Sequence, residues 1–213
     1  MAVLTKSEIL TRVKEGSISF APVLDSFQVR AHSIDLRLGY TFIVPKQTRI
    51  VKEGRVAIGV VDPLKFGYTQ DFFDVIELEE GQFFELLPGE HISVSSLESI
   101  KLPKDIMAVL YPRSSVSRRG LAVDLTGIVD AGYEGQLMIP IRNNTLSQVI
   151  RVYPGERFCQ VVFSKLNDAV EVIQSRYHQR DIADGAQKDK ATEAKLIEKG
   201  KIRELKEKHK QKM

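Results

Sequence analysis

Apolar and polar positions change their period twice along the chain. In residues 5–15, Thr-Lys-Ser-Glu-Ile-Leu-Thr-Arg-Val-Lys-Glu, helical spacing puts Ile9, Leu10 and Val13 on one face. Thr5 or Ser7 can cap that helix and Gly16 stops it. Beyond Gly16 the pattern becomes short apolar runs at 34–38, 40–44, 56–61, 83–87, 92–94, 107–110, 137–139 and 160–163. Turn residues separate them: Pro-Gly-Glu at 88–90 and again at 154–156, Asn143-Asn144, and several lone glycines. Many short β-branched runs with closely spaced turns predict a mainly β domain of the sandwich or jelly-roll type. From about 188 the composition shifts to Lys, Glu and Ala, with Leu196, Ile197, Ile202 and Leu205 as the apolar positions. That pattern predicts a charged helical tail interrupted at Gly200. The expected organisation is a β domain over 1–175 and an extension over 176–213, the charged tail being 188–213.

Composition narrows the class. With 213 residues and 43% apolar content the chain can bury an ordinary core, and it is too apolar for a disordered one. No apolar run reaches the 18 or so residues of a membrane span, and the first residues lack the apolar stretch of a secretory signal. Cys159 is the one cysteine, so neither an intramolecular disulfide nor a multi-Cys zinc site is available. A soluble, cytoplasmic protein is expected. The formal charge of +3 suggests nucleic-acid binding only until it is located. Residues 188–213 carry ten basic and five acidic side chains, and residues 1–187 carry 21 basic and 23 acidic. The body is slightly acidic, and nucleic acid is not its expected partner.

No phosphate-binding P-loop, nucleophile elbow or dinucleotide fingerprint occurs, and His32, His91, His178 and His209 show no metal-ligand spacing. The H-x-E and P-C-x-x-C signature of zinc nucleobase deaminases is absent. Three blocks remain. Residues 111–120, Tyr-Pro-Arg-Ser-Ser-Val-Ser-Arg-Arg-Gly, gather three guanidiniums and three serine hydroxyls, donors suited to phosphate but also common in a basic surface turn. Residues 127–136 run an apolar segment into Asp130, then a glycine-framed turn bearing Tyr133. Asp130 is placed as a general base or as a turn-capping carboxylate. Residues 154–163 are a turn feeding a strand, with Arg157 and Gln160 as its polar reach.

In order and spacing, Pro112-Arg-Ser-Ser, Gly127-Ile-Val-Asp-x-x-Tyr-x-Gly-Gln-Leu-Met-Ile and Pro154-Gly-Glu-Arg-x-x-Gln resemble three motifs of trimeric dUTPases. The N-terminal half resembles the dCTP deaminases, the sister branch of that superfamily. It does so in the opening helix, His32-Ser-Ile-Asp-Leu-Arg-Leu-Gly-Tyr-x-Phe, Leu87-Pro-Gly-Glu and Ser96-Leu-Glu-Ser-Ile-x-Leu-Pro. The resemblance spans roughly residues 5–175. It implies a distorted jelly roll, a homotrimer and active sites at subunit interfaces. It also implies that Asp130 orients the attacking water and that Tyr133 lies against the deoxyribose. The backbone around Gly127, Ile128 and Gly135 would read the base edge. Arg113, Ser114, Ser115 and Gln160 would contact phosphates. Asp35 would stand near a hydrated Mg²⁺ carried by the triphosphate, with no direct protein ligand to the metal.

The two branches differ in chemistry. In the resembled deaminases a glutamate beside the base lies five residues after the second glycine of the hairpin. Counting from Gly135, that position is Pro140, which transfers no proton. Arg118 matches the second arginine of the deaminase R-S-S-x-x-R pattern. On balance the expected function is dUTP hydrolysis to dUMP and pyrophosphate without deamination. The alternatives are a dCTP deaminase, alone or bifunctional with dUTPase activity, and a non-enzymatic trimeric nucleotide-binding regulator. The Gly-rich closing arm of dUTPases is missing. Arg176, Tyr177, Gln179 and Arg180, within a candidate lid at 174–187, are the nearest substitutes.

Overall fold

The computed structural model describes residues 2–52, 54–57, 72–124, 127–171 and 191–210. The candidate lid residues Arg176, Tyr177, Gln179 and Arg180 lie outside them. In chain order the first half comprises β1 (Ala2–Val3), α1 (Lys6–Lys14), β2 (Ser19–Ala21), β3 (Ile34–Pro45), β4 (Thr48–Val51), β5 (Gly54–Ala57), β6 (Phe73–Glu77), β7 (Phe84–Leu86) and β8 (His91–Lys101). The second half comprises β9 (Ile106–Pro112), α2 (Ser114–Ser117), β10 (Leu121–Val123), β11 (Ile128–Val129), β12 (Glu134–Asn143), β13 (Ile150–Val152), β14 (Arg157–Lys165), α3 (Ala191–Glu198) and α4 (Ile202–Lys208). The mainly β jelly-roll architecture with a short N-terminal helix is thus observed.

Thr5 caps α1 in the manner its sequence implies. Its hydroxyl accepts from the Glu8 amide while the Glu8 carboxylate accepts from the Thr5 amide, a capping box. Ile9 is the fully buried residue of the helix.

Contacts divide the chain into two compact units, Met1–Val44 with Val75–Ile182, and Pro45–Asp74 with Ala183–Met213. In the first unit the strands run antiparallel in the order β10-β12-β8-β3-β14-β9-β11. The central strand β3 serves two neighbours in turn. Residues Ile34 to Arg37 pair with β14, whereas Leu38, Phe42 and Ile43 pair with β8. Alternation along the strands builds the core: Leu137, Ile139 and Ile141 of β12, Ile106, Ala108 and Leu110 of β9, and Cys159, Val161 and Phe163 of β14 point inward. Asn143 is buried at the end of β12, donating to the carbonyls of Leu86 and Gln148 and accepting from the Thr145 amide and hydroxyl. It pins the 143–148 turn with every polar atom of its side chain satisfied.

Gly39 sits in β3 where the partner changes, between Leu38 and Phe42. A β-carbon there would meet the backbone oxygens of Ser96 at 2.8 Å and Ser95 at 2.9 Å. Backbone of a central strand cannot move aside, so Gly39→Ala is expected to cost about 1–3 kcal/mol of overpacking. A urea midpoint equal to wild type would show instead that β3 and β8 separate freely.

In the second unit β4 pairs with β5, and Lys46 and Asp74 form an ion pair at 3.2 Å. Helices α3 and α4 meet at Gly200, whose φ of +68° ends the first helix. Ala194 and Leu196 are buried, and Glu204 is bridged to Lys201 at 3.1 Å and Lys208 at 2.6 Å. The charged helical tail read from composition is therefore a broken helix with a small apolar seam. Among the described residues no helix is long and apolar enough to cross a membrane.

Candidate functional site

Two groups of candidate residues occupy different places in the fold. The first centres on Asp35, in the part of β3 that pairs with Gln160 and its neighbours on β14. Asp35 is 2% exposed, and three guanidiniums converge on its Oδ2. Arg30 donates from Nε and Nη2, each at 3.0 Å, Arg113 Nε lies at 3.1 Å, and Arg157 Nη1 at 3.3 Å. One carboxylate facing three cations leaves local positive charge that an anion would complete. Burial pulls Arg113 below the usual guanidinium value, with Arg157 and Arg30 adding to the effect and Asp35 opposing it.

Backbone acceptors hold the fork in place. Arg113 Nη1 donates to the Arg157 carbonyl at 2.8 Å, and Arg157 Nη1 to the Phe27 carbonyl at 2.5 Å. Ser114 and Ser115 follow Arg113 at the exposed start of α2. Gln160 completes the rim: its Oε1 accepts from the Ser33 hydroxyl at 3.2 Å and its Nε2 donates to the Pro112 carbonyl at 3.4 Å. Arg118 is exposed after α2, and Arg119 pairs with Glu156 at 2.5 Å.

Beneath Asp35 lies a buried network that the sequence patterns do not disclose. Gln28 Nε2 donates to the Asp35 carbonyl at 2.9 Å and to Glu98 Oε1 at 2.7 Å, and the Asp35 amide donates to the Gln28 carbonyl at 2.8 Å. Glu98 Oε2 accepts the Arg37 amide at 2.9 Å. Glu98 is 1% exposed, and desolvation raises its pKa against those hydrogen bonds. Arg30, Gln28 and Glu98 were missed because they join Asp35 only through strand pairing and a turn. Arg157, read as polar reach, turns out to be part of the cluster. Burial also pushes the Cys159 thiol well up, consistent with a core residue.

The second group is the turn between β11 and β12. Val129 pairs with Ala108 of β9, and the Leu110 amide donates to the Gly127 carbonyl, which anchors the segment. Gly132 has a φ of +80°, conformation that a non-glycine residue adopts only with strain. That geometry lets the Gly132 amide reach the Pro103 carbonyl at 3.1 Å and the Tyr133 amide reach the Asp130 carbonyl at 3.1 Å. The Asp130 side chain and Ile128 are exposed. Tyr133 is half-buried, donates its hydroxyl to the Gln136 carbonyl at 2.6 Å, and is pushed up to about 12 by desolvation, so it stays neutral. Glu134 is paired with Lys101 at 3.0 Å.

One chain does not bring these groups together. Val129 is held at Ala108, and Arg113 lies five residues further along and just past β9, about 17 Å of extended strand away. The three guanidiniums that reach Asp35 all do so through Oδ2. Among the described residues, no cluster of three His, Cys, Asp or Glu is placed to hold a metal ion.

A family model described as dCTP deaminase-like matches residues 3–166. The "dCTP deaminase, dUMP-forming" of Dictyoglomus thermophilum is 36% identical over 184 residues, covering 83% of this chain and 89% of that protein. The enzyme of the same description from Methanosphaera stadtmanae is 33% identical over 80% of this chain and 83% of its own length. Among solved structures, the 2'-deoxycytidine 5'-triphosphate deaminase of Agrobacterium tumefaciens aligns with a TM-score of 0.56 at 25% identity. That alignment covers 76% of this chain and 46% of the solved one. The expectation of a dUTP diphosphatase without deaminase activity is corrected by these relatives, which are named as deaminases. That expectation rests on the motif blocks at 112–115, 127–139 and 154–160 and on Pro140 at the position of the deaminase glutamate.

Proposed function

The chain belongs to the dCTP deaminase-like family, and on that premise we propose that it converts dCTP to dUMP, releasing ammonia and pyrophosphate. The observation that carries this reading is the 36% identity to a dUMP-forming dCTP deaminase across 83% of the chain. Two waters are consumed, one at C4 of the base and one at the α-phosphorus.

The residues divide the work. Arg113, Arg157 and Arg30, anchored on Asp35, present positive charge to the triphosphate, with Ser114, Ser115 and Gln160 as neutral donors on the rim. Any magnesium travels with the triphosphate and is held by its oxygens and water. Asp130, exposed at the turn, takes the proton of the water that attacks the α-phosphorus. The Tyr133 ring packs against the deoxyribose while its hydroxyl is occupied by Gln136. Gly127, Ile128 and Gly135 present backbone to the base edge.

A single chain keeps Asp130 and Arg113 apart along β9, so the complete site draws its guanidiniums from one subunit and its turn from another. A homotrimer with interface sites supplies that arrangement.

A substrate panel tests the proposal. With dCTP and Mg²⁺ the purified protein is expected to form dUMP, ammonia and pyrophosphate in equal amounts. Turnover without ammonia, or no turnover of dCTP, would overturn it.

A further inference from the structure

Deamination needs a group that carries protons between water and the base, and Pro140 has none to offer. We propose that Asp124 is that carrier; the inference rests on the deaminase reading above. β10 pairs with β12 as Leu121 to Asn143, Ala122 to Arg142 and Val123 to Ile141. The Asp124 amide continues the ladder by donating to the Pro140 carbonyl at 2.9 Å. On the far side of β12, Pro140 is opposite Ser93 of β8, and Arg142 is opposite His91.

Residues directly opposed in an antiparallel ladder share a face, with β-carbons about 4.5–5.5 Å apart. Asp124 therefore flanks Pro140 on the same side of the sheet. That side is the outer one, because Ile139 and Ile141 are the residues of β12 turned into the core. A carboxylate absent from one strand is supplied by the neighbouring strand, one rung across. His91 Nε2 lies 4.0 Å from the Asp124 carboxylate, both side chains are about half exposed, and Arg142 is the other charged residue in the row. Asp124 is also three residues from Gly127, at most about 10 Å of chain from the turn assigned to the base edge.

Other acids near that turn are committed elsewhere. Glu134 is bridged to Lys101, and Glu98 is buried against Gln28 and the Arg37 amide. Tyr133 stays protonated and is bound to Gln136.

The step balances on one carboxylate. As the water oxygen bonds to C4, Asp124 takes a water proton and passes it to N3 of cytosine. It then moves the remaining hydroxyl proton to the exocyclic nitrogen. The C4–N bond breaks with its electron pair leaving on nitrogen, ammonia departs, and C4 keeps oxygen as a carbonyl. Asp124 ends ionised, as it began.

Ammonia and pyrophosphate should be measured separately for wild type, Asp124→Asn and the double variant Asp124→Asn with Pro140→Glu. Asp124→Asn is expected to lower ammonia release from dCTP by at least a hundredfold, with pyrophosphate release from dUTP falling less than threefold. The double variant is expected to recover at least tenfold in ammonia release, since Pro140→Glu puts a carboxylate back in the same row. Ammonia release by Asp124→Asn within threefold of wild type would overturn the role of Asp124 alone. Equal loss of both products would assign Asp124 to folding or assembly and overturn it too. A wild type that releases no ammonia from dCTP would instead remove the deaminase reading itself.

Discussion

Asp130→Asn is expected to slow pyrophosphate release by 10²–10⁴-fold, the range general-base removal produces, while KM stays within a few-fold of wild type. The side chain is exposed, and the turn is held by the Asp130 carbonyl, which accepts the Tyr133 amide and is unchanged by the substitution. Asparagine keeps the shape but cannot accept the proton of the attacking water. In the proposed site the triphosphate is bound by guanidiniums elsewhere, so affinity and turnover should separate. Steady-state kinetics with a coupled pyrophosphate assay measure both. A variant retaining more than a tenth of wild-type turnover would exclude Asp130 as the base.

Asp35→Asn should affect stability first. The carboxylate is 2% exposed and neutralises part of the charge on Arg30, Arg113 and Arg157. Breaking a buried pair typically costs 3–5 kcal/mol. The Arg30 side chain is 44% exposed, so water screens part of the repulsion and about 2–3 kcal/mol is the expected loss. The same charge argument predicts a rescue. With Asp35 neutral, the three guanidiniums should bind pyrophosphate more tightly, and saturating ligand should raise the variant's Tm by more than it raises the wild type's. An equal shift in both proteins would mean that the cluster is not where the anion binds.

Much of the fold was legible in residue order. Thr5 with Glu8, the helical spacing of Ile9 and Val13, and the short alternating runs yield a capped helix and a β domain by local physics alone. The tail was legible in the same way, down to the interruption at Gly200. The motif residues Arg113, Asp130, Tyr133 and Gln160 stand out in the sequence because their spacing within each block is set by a turn and the strand beside it.

The branch of the family was less legible. Pro140 reports on one position of one strand, the place where the deaminase glutamate would stand. Side chains on an antiparallel sheet have neighbours across the ladder as well as along the strand, and Asp124 is 16 positions away in sequence yet adjacent in register. Whole-chain similarity points to the deaminases.

By itself, then, the sequence determined the β class of the domain, the helix caps, the broken tail and the residue types available for phosphate and proton chemistry. Each follows from periodicity or from contacts within a few residues. Tertiary structure decided which of those residues act together. It joined Arg30, Arg113 and Arg157 on one oxygen of Asp35, set Gln28 and Glu98 beneath it, and held Asp130 a strand's length from Arg113. Those relations depend on strand order and register. They become visible only once β3 has paired with β14 along one half and β8 along the other.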